Sequence, residues 1–359
     1  MDDALTRATG AIPFEFPSPA FNTLTMPGPT LKDVAERAGV STSAVSRTFT
    51  DGASVSEKMR AKVEQAAQEL GYSPNALASS LTTGRTKLIG LIANNFQNPL
   101  FLEVFDRFTR RLQERGLRPL LVNLTDETDP ENSVRMMRTY SVDGVVVASS
   151  TLPPVFAKAF RDAGIPVVHS FGRYSTRPRV HVVGIDNVEC GQMAATELRA
   201  RGYKHVAFLG GPESATSTQD RLHGFGAEIA KHPGIEMQHS FAKGYTFNAG
   251  RAEMQRLIPG GLAEAYFCGD DVIAVGALSA LQDAGYDVPG DVGLIGLNDM
   301  EMAGWENINL TTIRQPVAEI IDTSVSLMAS LLDLPDAHPK ARLFSCEVVE
   351  RGTLRPKSS

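Results

Sequence analysis

Cysteine is scarce: the 359 residues hold only Cys190, Cys268 and Cys346, far apart and with no CxxC among them. That pattern excludes a zinc finger or a CxxC redox pair, and an odd count argues against a disulfide framework. The three read as small buried hydrophobes of a protein kept in a reducing compartment. No run of about 18 apolar residues occurs, so no helix is expected to span a membrane. HExxH, GxSxG and the phosphate loop GxxxxGK followed by Ser or Thr are missing as well. The histidines (His169, His181, His205, His223, His232, His239 and His338) show no catalytic or metal-ligand spacing. Gly224-Phe225-Gly226 lacks the third glycine of a dinucleotide fingerprint and falls inside a helical stretch. Asp270 and Asp271 are neighbours at a helix start rather than a separated acid and base. The expectation is a protein that is not an enzyme and uses no cofactor and no metal.

What is present is an ordinary globular balance, 42% hydrophobic and 21% charged, in a length that suits two or three domains. The net charge of -6 looks wrong for a nucleic-acid binder, but it is a sum over domains. Residues 30–87 carry eight basic and six acidic side chains, so a slightly basic front end sits on an acidic body. Residues 1–29 hold Pro13, Pro17, Pro19, Pro27 and Pro29, which break helix and sheet alike, and read as a flexible extension. Asp2 and Asp3 stand where a signal peptide would be positive, and no apolar core follows, so a cytoplasmic protein is expected. Met26 is a candidate alternative translation start.

From Thr30 the pattern changes. Leu31, Val34, Ala35 and Ala38 share one helical face, Thr30 and Asp33 have capping-box spacing, and Gly39 is a stop. Ser41 can cap a second helix over 42–49, with Val45 and Phe49 inward. Ser56 can cap a third, with Met59, Val63, Ala66, Ala67 and Leu70 on one face, ended by Gly71 and Pro74. Two short helices joined by a tight turn and braced by a third describe a helix-turn-helix. Its second helix would offer Thr42, Ser43 and Arg47 to base edges in the major groove, with Arg47 suited to guanine. A three-helix cap on a larger domain gives the same pattern.

The residues Thr30-Leu31-Lys32-Asp33-Val34-Ala35-Glu36-Arg37-Ala38-Gly39-Val40-Ser41, followed by Ala44-Val45-Ser46-Arg47, resemble the signature of the lac repressor family (LacI/GalR type). The likeness continues through Val55-Ser56, Lys62-Val63 and Leu70-Gly71-Tyr72-Ser73-Pro74-Asn75. It implies a sequence-specific transcriptional regulator, usually a repressor, that grips a pseudo-palindromic operator as a homodimer. Contacts to DNA are then expected from Thr30, Ser41, Thr42, Ser43, Ser46 and Arg47. Residues 75–84 can form one short helix, too short to be stable alone. The resemblance implies a hinge that folds as a pair on the minor groove through Asn75 and Ala78, with Leu81 wedged between base pairs. A plain linker is the alternative.

After Arg85 the chain alternates apolar strands and helices. Strands are expected at 87–93, 119–123, 144–148, 165–168, 205–209, 265–268 and 292–297. Helices are expected at 100–115, 131–140, 154–163, 191–201, 221–231, 248–257 and 271–284. This is two doubly wound parallel α/β units in series, with a ligand cleft between the carboxyl ends of their sheets. The resemblance implies a periplasmic-binding-protein-like core crossed three times by the chain, near 184–186, 315–316 and 344. The expected domains are an extension (1–29), the head (30–74), the hinge (75–84) and the core (85–359). Within the core, lobe 1 covers about 85–184 and 317–344, and lobe 2 about 185–315 and 345–356.

Asn98 and Phe101, in a loop resembling the Asn-Pro-Phe-Phe loop of sugar-binding members, are expected to meet a ligand by hydrogen bond and by ring face. A core role for Phe101 is the alternative. The resemblance adds Arg221 as an effector arginine, Ser217 beside it, Tyr245 as an aromatic lid, and Asp270, Asn298 and Gln315. Asp271 is expected to cap the helix that follows Asp270. Phe171 and Asn298 stand where many members have Asp, which lowers the negative charge of the pocket. The implied effector is a sugar or sugar derivative. A charged ligand paired with Arg221 stays open, and so does a DNA-binding architectural protein without a ligand. The tetramer-forming leucine heptads of the family are not found after Arg351-Gly352-Thr353-Leu354-Arg355-Pro356, so a dimer rather than a tetramer is expected.

Overall fold

The computed structural model describes residues 28–50, 53–74, 80, 84–124 and 129–357. The chain divides into two compact units, Met1–Thr83 and Gly84–Ser359. In the first, α1 (Leu31–Ala38), α2 (Thr42–Thr48) and α3 (Glu57–Leu70) form the head. Each helix starts on a hydroxyl that accepts an otherwise unpaired N–H: Thr30 from Asp33 (3.3 Å), Ser41 from Ala44 (3.2 Å) and Ser56 from Met59 (3.3 Å). The Asp33 carboxylate returns the bond to the Thr30 N–H at 2.6 Å, which completes a capping box and holds its pKa below the ordinary value. Gly39 and Gly71 end α1 and α3 in the left-handed region, at φ 58° and 65°.

Val34, Val45 and Val63 meet at the centre with no exposed surface, surrounded by Ala35, Ala38, Ala66 and Ala67. Each buried valine contributes about 1.5–3 kcal/mol. Arg60 donates to the Thr48 carbonyl (2.9 Å) and so ties the end of α2 to α3. The hinge residues Asn75, Ala78 and Leu81 lie outside the described residues.

The second unit holds two sheets of the same design. The first contains β1 (Leu88–Ala93), β2 (Arg118–Asn123), β3 (Gly144–Ala148), β4 (Val167–Ser170), β5 (His181–Gly184) and β11 (Ala341–Leu343), in the order β11-β5-β4-β3-β1-β2. The second contains β6 (His205–Gly210), β7 (Glu236–Phe241), β8 (Ala265–Cys268), β9 (Gly293–Asn298), β10 (Thr312–Arg314) and β12 (Glu347–Val349), in the order β12-β10-β9-β8-β6-β7. All neighbours run parallel except β10 and β12. Leu91 of β1 stands opposite Leu121 and Val146, a fully apolar register suited to a sheet covered on both faces.

Helices α4 (Leu100–Glu114), α5 (Pro130–Thr139), α6 (Pro154–Asp162) and α11 (Val317–Asp333) belong to the first lobe. Helices α7 (Asn187–Ala200), α8 (Thr216–Ile229), α9 (Phe247–Leu257) and α10 (Asp271–Asp283) belong to the second. The chain passes from the first sheet to the second after Gly184, returns after Arg314 through α11, which packs on β3 and β4, and passes again between β11 and β12.

The parallel doubly wound fold agrees with the sequence reading, with local corrections. The reading starts α7 at 191 and α8 at 221, whereas they begin at Asn187 and Thr216. Strand β7 has no apolar run to reveal it, because Glu236, Gln238 and His239 are exposed on a sheet edge. The three-residue strands β10, β11 and β12 are too short for periodicity to show. Asp271 does not cap α10; Asp270 does, accepting from the Val272 N–H at 2.9 Å. The Asp271 carboxylate instead accepts from the Thr312 hydroxyl (2.5 Å) and the Met300 N–H (2.8 Å), and so ties α10 to β10 and to the loop after β9.

Candidate DNA-reading head and inter-lobe ligand cleft

Helix α2 buries Ala44, Val45 and Thr48 and exposes Ser41, Thr42, Ser43 and Arg47. Ser46 is half-buried. Ser41, Thr42 and Ser43 stand at the helix N-terminus, the end that enters a major groove in a helix-turn-helix, and Arg47 follows one turn on, in the last turn of the helix. Ser41 and Ser43 share a hydroxyl hydrogen bond of 3.0 Å, and Arg47 rests its Nε on the Ser43 carbonyl at 3.3 Å. Thr30 is exposed at the start of α1, where its hydroxyl is held by the capping box. The head therefore offers short hydroxyl side chains and one long fork on a single rigid helix, as base readout requires.

The cleft in the second unit is built from the carboxyl ends of the strands. Asn95, Asn98 and Phe101 follow β1, Ser150 follows β3, Phe171 follows β4, and Ile185 and Asn187 follow β5. From the second lobe come Arg221 on α8, Tyr245 after β7, Asp270 after β8, Asn298 at the end of β9 and Gln315 after β10. These surround a cavity of about 20 Å³, room for little more than one water. An open groove of about 830 Å³ leads outward past Asn95 and Tyr245.

The polar groups around the cavity satisfy one another. Asp270 accepts from the Asn98 amide of the opposite lobe at 2.9 Å and from the Asn298 amide at 2.8 Å. Gln315 donates to the Asn298 carbonyl oxygen at 2.6 Å. The Arg221 guanidinium donates to Asn187 at 2.8 Å and to the Gly269 carbonyl. Burial pushes the Asp270 carboxyl up to about 6, against the opposing pull of the Val272 N–H and the Arg221 charge. The burial of Asp271 pushes it to about 7. Phe171 adopts the left-handed region at φ 62°, which turns the chain sharply where β4 meets the cavity.

Of the eight residues expected here, Asn98, Phe101, Arg221, Tyr245, Asp270, Asn298 and Gln315 line the cavity. Phe101 is both lining and core. Ser217 stands behind the wall, where its hydroxyl and that of Thr218 hold the Tyr245 hydroxyl at 3.0 and 2.7 Å. Sequence reasoning misses Asn187, because a helix start without apolar periodicity hides it. Its signal is Asp186, whose carboxylate caps α7 at the Val188 N–H (2.9 Å) and so places Asn187 in the first turn.

The amino end of α8 has no side-chain cap of its own. The Ser217 N–H and the Thr216 hydroxyl instead donate to the Ser150 carbonyl at 3.1 and 2.9 Å, across the cleft. Lobe closure thus supplies partners that the helix needs, which couples the angle between the lobes to the element carrying Arg221.

Comparison with known proteins decides the assignment. Residues 30–75 match the model of bacterial regulatory proteins of the lacI family, and residues 195–354 match a periplasmic binding protein-like domain. The ribose operon repressor of Escherichia coli K12 is 30% identical over 339 residues, 90% of this chain and 99% of its own length. The chain belongs to the lacI family of bacterial regulatory proteins. The transcriptional repressor PurR of E. coli O139:H28 is 32% identical over 328 residues, covering 90% of this chain and 96% of that protein. The crystal structure of the lac repressor dimer bound to operator and an anti-inducer superposes with TM-score 0.81 at 25% identity, over 92% of this chain and all of that one. A CelR–cellobiose complex gives 0.67 at 26% identity, over 90% and 99%. As a lacI-family member the chain is a DNA-binding transcriptional regulator controlled by a small molecule, not an enzyme. No described helix is long and apolar enough to cross a membrane.

Proposed function

We propose that Arg47, Thr42 and Ser43 read operator bases in the major groove, with Ser41, Ser46 and Thr30 positioning the head on the sugar-phosphate backbone. The hinge over 75–84, through Asn75, Ala78 and Leu81, reads the minor groove. The regulator acts in the cytoplasm as a homodimer, with two heads on one pseudo-palindrome. The edge strand β2, unpaired on its outer side among the described residues and with Leu121 49% exposed, and Leu102 of α4, 74% exposed, support pairing through the first lobe.

The effector is a small polyhydroxylated molecule, a sugar or sugar derivative, held in the cleft by Arg221, Asp270, Asn98, Asn298 and Gln315. Phe101 and Tyr245 close on its apolar faces, and Ser217 steadies Tyr245. The observation that carries this reading is the mutual hydrogen bonding of Asn98, Asp270, Asn298 and Gln315 across the lobes. Neutral amides around one buried carboxylate suit hydroxyl groups, which both donate and accept. Ribose stands in the name of one relative and cellobiose in the name of one solved complex, and both are polyhydroxylated. A ligand entering the cavity must displace the Asn98–Asp270 bond and so changes how the lobes meet.

The test is a melting-temperature screen of the full chain against pentoses, hexoses, disaccharides, nucleosides and purine bases, with Arg221→Ala as control. A ligand at 100 times its Kd adds about 2.7 kcal/mol. A shift in the wild type that Arg221→Ala abolishes supports the assignment, and a shift that the variant retains refutes it.

A further inference from the structure

Two of the three cysteines meet at a mechanically important place. Cys190, in the second turn of α7 and 1% exposed, points its thiol at Cys346 with the sulfurs 3.6 Å apart. Cys346 is half-buried and lies in the last passage between the lobes, between β11 and β12. Helix α7 follows directly on the first passage, after Gly184. The two passages are already tied by the Phe344 N–H, which donates to the Gly184 carbonyl at 2.9 Å. Asn187, which accepts from Arg221 in the cleft, is one turn before Cys190.

We propose that Cys190 and Cys346 are a dithiol site that peroxide converts to an intramolecular disulfide, clamping two of the three connections between the lobes. The sulfurs must approach by about 1.5 Å to reach the bonded distance of about 2.05 Å, a movement within the reach of χ1 rotation and small backbone shifts. The division of labour follows from the surroundings. Cys346 is the attacking group: it is the more accessible, and the Cys190 thiol donates to its sulfur, which with the nearby Arg221 charge lowers its pKa. The same contact and, after it, burial raise the pKa of Cys190, which suits a resolving thiol protected until needed.

The chemistry balances as follows. The Cys346 thiolate attacks one oxygen of hydrogen peroxide, the O–O bond breaks, and hydroxide leaves and takes up the thiol's proton as water. The sulfenic acid so formed is attacked by the Cys190 sulfur. The S–O bond breaks, the S–S bond forms, and the hydroxyl leaves with the Cys190 proton as a second water. Two thiols are oxidised by two electrons, and one peroxide is reduced to two waters.

The cross-link closes a loop of 156 residues and therefore removes much freedom from the unfolded chain. In the folded chain it fixes the first and third passages to each other and limits the rotation by which the lobes open. Cys268 is fully buried in β8 and takes no part.

The experiment treats the full-length protein with stoichiometric hydrogen peroxide, alkylates it in denaturant and maps the peptides without reduction. The expected result is loss of two of the three thiols, a mass lower by two hydrogens, a peptide pair joining Cys190 to Cys346, and recovery of both thiols with dithiothreitol. Cys268→Ser should behave like wild type, Cys346→Ser should keep Cys190 as a thiol, and the oxidised protein should melt above the reduced one. Cys346 trapped as a sulfinate without a cross-link, disulfides joining separate chains, or a Cys190 still alkylated after treatment would overturn the dithiol assignment. A cross-linked protein with an unchanged melting temperature would overturn the clamp.

Discussion

Helices α7 and α8 cross so closely that glycine at the contact is a steric requirement, and one pair of substitutions tests this with opposite signs. A Cβ added at Gly224 would sit 1.9 Å from the Val188 carbonyl oxygen and 2.8 Å from its carbon. Ordinary carbon–oxygen contacts lie near 3.3 Å or beyond, so the two helices would have to part by roughly 1 Å or more. The obstacle is backbone inside a helix, with no rotamer to relieve it.

Two residues further along α8, a Cβ at Gly226 meets only the Met237 side chain, at 3.5 and 3.7 Å. Replacing glycine by alanine inside a helix gains up to about 1 kcal/mol wherever the methyl fits. Gly226→Ala should therefore stabilise the second unit by about 0.5–1 kcal/mol. Gly224→Ala gains the same propensity but incurs overpacking of about 1–3 kcal/mol or more, so it should destabilise by about 1–2 kcal/mol net. It should also weaken ligand binding, because Arg221 sits one turn earlier on the displaced helix and is held by Asn187 of α7. The assay is urea unfolding followed by circular dichroism, together with a ligand titration. Shifts of the same sign for the two variants would refute the close-crossing argument.

Four further outcomes are expected. Arg47→Ala should cost about 1–3 kcal/mol of operator affinity and relax one base position in a selection from random duplexes; an unchanged preference would remove its reading role. Leu81→Ala should weaken specific far more than nonspecific binding in gel-shift titrations, and equal losses would contradict the wedge. Thr30→Ala removes a capping box and should lower head stability by about 1 kcal/mol, read from the melting of the head's helical signal; no change would mean that the cap is dispensable. Burial raises the folded pKa of Asp270 from 3.8 to about 6, so its contribution to stability is present below about pH 4 and is lost as pH rises through 6. The stability of the wild type relative to Asp270→Asn should therefore decline by up to about 3 kcal/mol between pH 4 and 7. A difference independent of pH would contradict the burial.

The head was readable because its signals are local. Thr30, Ser41 and Ser56 cap at fixed offsets, Gly39 and Gly71 stop, and Leu31, Val34, Ala35 and Ala38 on α1, like Met59, Val63, Ala66, Ala67 and Leu70 on α3, recur at helical spacing. Most parallel strands with apolar runs were readable for the same reason, whereas the four-residue β5 (His181–Gly184) was missed because it is too short to stand out. What escaped depends on distant partners. Strand β7 is defined by pairing with β6, and the start of α8 by carbonyls of the other lobe. The Cys190–Cys346 contact spans 156 residues and leaves no trace in sequence spacing. The roles of Asp270 and Asp271 could not be separated by pattern, since neighbours at a helix start are alike until β10 supplies Thr312 for one and the opposite lobe supplies Asn98 for the other.

The central claim is that occupancy of the cleft sets affinity for DNA. Its most direct test is the Kd of the full-length protein for its selected operator, measured by fluorescence anisotropy with and without the sugar or nucleoside that most raises its melting temperature. The account predicts a change in Kd of roughly 5–150-fold, matched by an equal change in ligand affinity when operator is present, and lost in Arg221→Ala. An operator affinity unmoved by a ligand that demonstrably fills the cleft would contradict it.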